Sequence, residues 1–394
     1  MPDSGALPQS ASETSTVYLN HAGTTWPKPS AVIKACEAEL RTEVWQWPER
    51  FDSAHRALAR FFGVSPERLL LTPGCTSAIS LALSHLAWQA GDCVLTSAWE
   101  HHAMSGALQV LARRGIDVIV LPPSNESPVC LDRLESILKE RPIKLVAMTA
   151  ACNVTGERLP IESVIELSQR FETLTLIDGA QVVGWESIDL PQLGCSMFAF
   201  GSHKGLHGPW GIGGLYVADE VVMDVPSATC EIGASERTAS ESGRSESGSG
   251  AATKCNVMPG YCDAGSVDRL ALSGLHAALG WLQPEANLRL ALARVETLRA
   301  VIDELDHSTL YRQDAERLLP TIAFNLNGVA SSQVAAHLAE QQIIVASGLQ
   351  CAPSAHSMLG TEEQGVVRIS IGPMNSEDDI NRACNGLRQL SKLR

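Results

Sequence analysis

The sequence predicts an α/β fold: a large domain whose mostly parallel sheet is covered by helices, followed by a smaller C-terminal α/β domain. Three observations carry this expectation. Short apolar runs recur between stretches of helical periodicity, the pattern of βαβ units. Several of the runs are apolar at nearly every position, as strands buried on both faces of a parallel sheet must be. The alternation then restarts near the C-terminus, and 394 residues suit two domains at roughly 150 residues each.

Taken in order, residues 1–15 are small and polar and read as a disordered N-terminal arm. The large domain is assigned to residues 16–283. Its strands are expected at Leu69–Leu71, Cys93–Thr96, Val118–Leu121, Leu145–Met148, Leu174–Ile177 and Met197–Phe200, with the glycine-rich Gly211–Val217 as one more. Helices are expected at Ser77–Trp88, Ala103–Arg113, Cys130–Lys139 and Ile161–Phe171. Residues 231–254 are dominated by Ser, Gly and Glu. They lack the apolar surface to offset chain entropy and read as a flexible insertion in the large domain. Helices at Val267–Leu282 and Pro284–Leu305 follow. The small domain, 284–394, is expected to hold strands at Thr321–Leu326, Ile343–Ala346 and Val366–Ile371, with helices at Ser332–Glu340 and Glu377–Leu390.

Composition removes several classes of function. Forty-four acidic against thirty basic residues give a net charge of −14, which repels nucleic acid and anionic membrane surfaces. No apolar run approaches the roughly 18 residues of a spanning helix. The eleven cysteines are odd in number, scattered, and mostly set in apolar segments, and no secretory signal precedes them. Free thiols in a reducing cytoplasm are the simplest reading. No C-x-x-C pair is present, and no metal site is expected.

The chemistry concentrates between Leu174 and Val217. Asp178-Gly179-Ala180-Gln181 follows one apolar run directly, and Gly201-Ser202-His203-Lys204-Gly205 follows the next. Residues after parallel strands converge on one crevice, so an acid and a lysine placed there face the same site. A desolvated lysine amine can be neutral and attack an aldehyde. An aspartate beyond it can keep a pyridine nitrogen protonated and so make the ring an electron sink. Alone, Lys204 reads as a turn lysine and Asp178 as a helix cap; together they read as a site. Cys75 and Thr76 open a helix after the strand at Leu69–Leu71. They form either a phosphate seat at its N-terminus or an ordinary helix start. His101 in Glu100-His101-His102 can lie against an aromatic ring, and Asn153 follows yet another strand.

These residues spell a family. From Tyr18 to Leu390 the chain resembles the fold-type-I pyridoxal-phosphate enzymes of aminotransferase class V. Among them it is most similar to the cysteine desulfurases and selenocysteine lyases. The resemblance runs through YLNHAGTTWPKP, LTPGCTSAISL, EHHA, NVTG, DGAQ, SHKGLHGPWGIGGLY, AGS, SGLQCAP and VRISIG. It implies pyridoxal 5′-phosphate bound covalently by Lys204, with Asp178 on the ring nitrogen, His101 stacked on the ring, and Gln181 and Asn153 near the ring oxygen. Cys75, Thr76 and His203 are implied to hold the phosphate, with Ser202 a further cofactor-binding residue in place of the serine missing at Gly201. Ser266 matches a position that reaches the partner subunit's phosphate, which implies a homodimer. Arg368 matches the clamp for the α-carboxylate of a small amino-acid substrate, a task suited to a bidentate guanidinium.

Cys351, in Ser347-Gly348-Leu349-Gln350-Cys351-Ala352-Pro353, matches the cysteine that takes sulfur from L-cysteine, leaving L-alanine and a persulfide. The stretch from Cys351 to Arg368 is short, like that of the compact-loop desulfurases, so sulfur is expected to leave to a docked acceptor protein or a small thiol. Three departures stand out. Ala346-Ser347-Gly348 replaces the usual Arg-Thr-Gly or Arg-Ala-Gly, Gln350 replaces a histidine beside the cysteine, and Gly201 replaces a serine. The alternative is a class V aminotransferase or epimerase acting on another amino acid, with Cys351 incidental.

Overall fold

Unbroken apolar runs become strands buried on both faces, and the residues that follow them are thereby delivered to one edge of a sheet. The computed structural model describes residues 16–124, 127–223, 267–311 and 318–392. The chain begins with β1 (Val17–Tyr18), α1 (Ser30–Glu39), α2 (Trp47–Phe61), β2 (Leu69–Thr72), α3 (Cys75–His85), β3 (Cys93–Ser97) and α4 (His102–Arg113). It continues through β4 (Asp117–Leu121), α5 (Leu131–Glu140), β5 (Leu145–Thr149), α6 (Ile161–Arg170), β6 (Leu174–Asp178), α7 (Leu190–Leu193), β7 (Met197–Gly201) and β8 (Gly213–Val217). After α8 (Arg269–Trp281) and α9 (Pro284–Asp303) come β9 (Ser308–Tyr311), β10 (Thr321–Leu326), α10 (Ser331–Glu340), β11 (Ile343–Ile344), α11 (Pro353–Leu359), β12 (Val367–Ser370) and α12 (Glu377–Gln389). The expectations for residues 1–15, for the insertion at 231–254 and for Ser266 lie outside the described residues.

Seven strands form the main sheet in the order β2-β8-β7-β6-β5-β3-β4. All pairs are parallel except those made by β8, which runs antiparallel to both β7 and β2. Two reversals cancel, so β2 points the same way as β7. Every residue of β2, β3, β5, β7 and β8 is buried. This is the predicted mostly parallel sheet with both faces covered. Two glycines permit the approaches that shape its business edge. A Cβ on Gly213 would sit 2.8 Å from Gly74 Cα, and one on Gly179 would sit 2.1 Å from the Phe198 ring.

Near the C-terminus, β12-β10-β9 make an antiparallel sheet, and β1 pairs in parallel with β11, Val17 opposite Ile343. The N-terminal strand is therefore stitched to the C-terminal part. The sequence reading had no strand at β1 or β9. β1 is only two residues long, and β9 is an edge strand half-buried at all four positions, so neither leaves a clear apolar signature.

One buried charge ties together the helices behind the sheet. Glu39, 3% exposed at the end of α1, accepts hydrogen bonds from Arg50 on α2 (2.8 Å) and from Arg269 (2.7 Å) and Ser273 (2.8 Å) on α8. Burial pushes its carboxyl up, but the Ser273, Arg269 and Arg50 donors outweigh burial and hold it below the ordinary value. A depressed folded pKa means that the stabilisation is present above the unfolded value of about 4.3 and is lost as pH falls through the folded one. Glu39→Ala is expected to lower unfolding stability by about 2–3 kcal/mol at neutral pH, since both arginines lose their partner but keep some solvent. Chemical denaturation checks this: the gap between the two proteins should narrow as the pH falls below the unfolded value of about 4.3.

Candidate active site

The parallel strands bring four of the expected residues to one edge. His101 follows β3, Asn153 follows β5, Asp178 ends β6 and Lys204 follows β7. Cys75 and Thr76 begin α3, directly after β2, while Cys351 and Arg368 come from the C-terminal part. Together with Gln181 and His203 they line a single cavity of about 590 Å³. Ser202 does not join them. It is fully buried, its N–H donates to Ile212 O (3.1 Å), and Gly201 lines the cavity in its place. A separate cavity of about 480 Å³, lined by Arg158, Glu162 and Glu186, contains none of the expected residues.

Each group is held by contacts that follow from its place in the fold. Asp178 Oδ1 accepts the Ala180 N–H at 2.9 Å and the Cys75 thiol at 3.2 Å. Lys204 is half-buried; burial pushes its amine down against the opposing pull of Asp178, which favours a neutral nucleophile. His101 caps α4, its Nδ1 accepting the Ala103 N–H at 3.1 Å, so the neutral ring carries its proton on Nε2. Burial and then Lys204 push that imidazole below its ordinary pKa. His203 is pushed down to about 4, chiefly by burial.

Arg368 is 4% exposed and has no carboxylate partner among the described residues. Its Nη1 donates to Asn153 O (2.7 Å) and its Nη2 to Asn20 Oδ1 (2.6 Å), while Nε has no partner. Burial pushes it down to about 10, still charged at neutral pH. A buried cation answered only by neutral oxygens is costly, and an incoming carboxylate would relieve that cost.

Cys351 sits in a tightly pinned turn. Asn153 Nδ2 donates to Gln350 O (2.7 Å), the His102 N–H to Cys351 O (2.7 Å), and Gln350 Nε2 to Val366 O (3.0 Å). Gln350 and Cys351 both adopt the left-handed region, with φ of 41° and 58°, a strained conformation for two successive non-glycine residues. Among the described cysteines Cys351 alone is exposed; Cys93, Cys152, Cys195 and Cys384 are buried. The sulfur at the cavity mouth is thus the accessible one.

A family model described as aminotransferase class-V matches residues 17–383. The chain belongs to the class-V aminotransferase family. Among curated proteins it is 29% identical over 399 residues to a probable cysteine desulfurase of Vibrio cholerae, covering 96% of this chain and 94% of that one. It is also 29% identical to a cysteine desulfurase of Cronobacter sakazakii, covering 95% and 93%. In fold it is similar to the apo structure of a cysteine desulfurase from Thermococcus onnurineus, with a TM-score of 0.83 at 23% identity over 96% of this chain and 95% of that one. The fold is therefore that of the type I pyridoxal-phosphate enzymes, and the family's cofactor is pyridoxal 5′-phosphate.

The cavity's own chemistry fits that group. α3 starts without a side-chain cap and without an acid in its first turn, so the unpaired N–H groups of Cys75, Thr76 and Ser77 are available to a phosphate. Around the rest of the wall, Asn153 Oδ1, His203 Nδ1 and Gln350 Oε1 are buried without partners among the described residues. Such orphaned polar atoms in a cavity of this size call for a polar ligand.

Several contributors were invisible in the sequence reading. Thr149 and Trp210 line the cavity, and Asn20 holds Arg368 from 348 residues away. Glu100, fully buried beside His101, accepts the Thr149 N–H (3.0 Å) and the Ser97 hydroxyl, tying the ends of β3 and β5 together. Burial pushes its carboxyl up to about 8. Its position beside His101 was the only sequence signal, and nothing local distinguishes a brace from a reactive acid.

Proposed function

We propose that this protein is a pyridoxal-phosphate-dependent cysteine desulfurase, converting L-cysteine to L-alanine with transfer of the sulfur to Cys351. The observation that carries the reading is the exposed Cys351 on the wall of a cavity that also holds Lys204 and an Arg368 with no carboxylate partner among the described residues. The curated relatives of that name support it.

In this reading the N-terminal donors of α3, with Thr76 and His203, would hold the phosphate; Asp178 would serve the ring nitrogen; Gln181 and Asn153 would serve the ring oxygen; and His101 would pack against the ring. When bound, the pyridoxal group supplies an electron sink for the pair left at the substrate's Cα. Lys204 would be the residue that holds the group, and its amine would move the proton at the substrate's Cα. Arg368 clamps the α-carboxylate with its guanidinium fork. The Cys351 thiolate attacks the substrate sulfur: an S–S bond forms as the C–S bond breaks, and a proton reaches the departing carbon. L-cysteine and the thiol thus become L-alanine and a Cys351 persulfide. The short chain from Cys351 to Arg368 suits handover to a docked acceptor protein or a small thiol. The proposal includes the two-domain division at 283/284, a homodimer, and work in the reducing cytoplasm; among the described residues no helix is long and apolar enough to cross a membrane.

Incubation of the purified protein with L-cysteine should release alanine, and mass spectrometry should find one added sulfur atom on the Cys351 peptide. Keto-acid-dependent turnover or racemisation without that added sulfur would replace this reading with an aminotransferase or epimerase. The same assay with selenocysteine measures which chalcogen the cavity prefers.

A further inference from the structure

We propose that Cys75 is a positioning residue for the Asp178 carboxylate, and through it for the pyridine nitrogen of the cofactor, rather than a ligand of the phosphate. The inference rests on the pyridoxal-phosphate reading above but not on the identity of the substrate.

The first turn of α3 was expected to turn its side chains to the phosphate. The Cys75 side chain instead points across the floor of the cavity: its Sγ donates to Asp178 Oδ1 at 3.2 Å, bridging 103 residues of sequence. The Ala180 N–H reaches the same oxygen at 2.9 Å. Oδ1 is therefore engaged twice, while Oδ2 takes no donor among the described residues. One carboxylate oxygen is anchored and the other is left for a cation or an N–H in the cavity.

A thiol has a single proton to give, and one given to Asp178 is not available to a phosphate. The phosphate seat loses little, because it keeps the backbone N–H groups of the helix start. Burial and the adjacent Asp178 push the Cys75 thiol well up, so it stays protonated and remains a donor. The packing is close as well: a Cβ on Gly201 would stand 3.5 Å from Cys75 Cβ, in van der Waals contact on the cavity side. The carboxylate is thus oriented, one oxygen anchored and the other left to face a ring nitrogen that must keep its proton.

The test is equilibrium binding of pyridoxal 5′-phosphate, and separately of pyridoxal without its phosphate, to the cofactor-free full-length protein, followed by visible absorption. Cys75→Ala should weaken both compounds by a similar factor, about fivefold, the size of one ordinary hydrogen bond, because a thiol is a weak donor. In an Asp178→Asn background the same substitution should have almost no effect. Cys75→Ser, which retains a one-proton donor, should bind both compounds nearly as the parent does. In addition, nitrogen NMR of ring-labelled cofactor should shift towards the unprotonated position in Cys75→Ala and not in Cys75→Ser. Weakening confined to the phosphorylated compound, or a full effect in the Asp178→Asn background, would overturn the proposal and return Cys75 to the phosphate. A parent protein that binds neither compound would overturn the cofactor reading and this inference with it. A parent that binds both but yields no alanine from cysteine would overturn only the desulfurase reading.

Discussion

Lys204→Ala is expected to reduce alanine formation from L-cysteine by roughly 10⁴-fold, the upper range for loss of a positioned acid–base group. It is also expected to remove the visible absorption that a covalent lysine–cofactor link produces. Two separate duties are lost at once, covalent retention of the cofactor and proton transfer at Cα. Among the described residues no other lysine lines the cavity, so none of them offers an amine that can substitute. Lys204→Arg should do no better. It keeps the charge beside Asp178, but a guanidinium is never neutral near pH 7 and cannot attack an aldehyde. Both variants should fold, because the half-buried Lys204 side chain makes no hydrogen bond to the rest of the fold among the described residues. The checks are an absorption spectrum and an alanine assay on the same preparation. A Lys204→Ala protein that kept the band would remove this residue from the centre of the site.

Cys351→Ser separates the identity of the sulfur acceptor from the geometry that carries it. The substitution changes one atom, and the turn is held by groups it leaves alone: Asn153 to the Gln350 carbonyl, His102 to the backbone carbonyl of residue 351, and Gln350 to Val366. A hydroxyl supplies almost no anion near pH 7, whereas thiols supply some, and an oxygen cannot form the S–S bond the reaction requires. Alanine formation should fall by about 10³-fold, equivalent to about 4 kcal/mol of barrier. The spectral change on adding L-cysteine should persist, since Lys204 and Arg368 are untouched. Alanine release at the parent rate would make Cys351 incidental and favour the aminotransferase or epimerase alternative.

Those two residues also show how far a linear reading reaches. Asp178, Lys204, His101 and Asn153 could be picked out because each follows an apolar run, and parallel strands present their carboxyl ends on one edge. Cys351 and Arg368 were legible only through the resemblance of SGLQCAP and VRISIG to a family. Periodicity alone would have left one a loop cysteine and the other an arginine in a strand. Ser202 came from the same resemblance, as a stand-in for the serine missing at Gly201; the turn after β7 buries it completely, and Gly201 lines the cavity instead. Cys75 was placed in the turn before a helix expected from Ser77, whereas the helix begins at Cys75 itself, and its partner could not be seen. Helix position determines where a Cβ lies, and the direction of its sulfur depends on what packs against it.

By itself the amino-acid order determined the α/β class, the succession of strands, and the residue types at the strand ends, because burial periodicity and turn chemistry act over a few neighbouring residues. Tertiary structure alone decided which distant groups share a proton or a charge. Asn20 with Arg368, Cys75 with Asp178, and Asn153 with the Cys351 turn are separated by 348, 103 and 197 residues. Hydrogen bonds and desolvation act over a few ångströms of space, and only packing of the whole chain brings such residues that close.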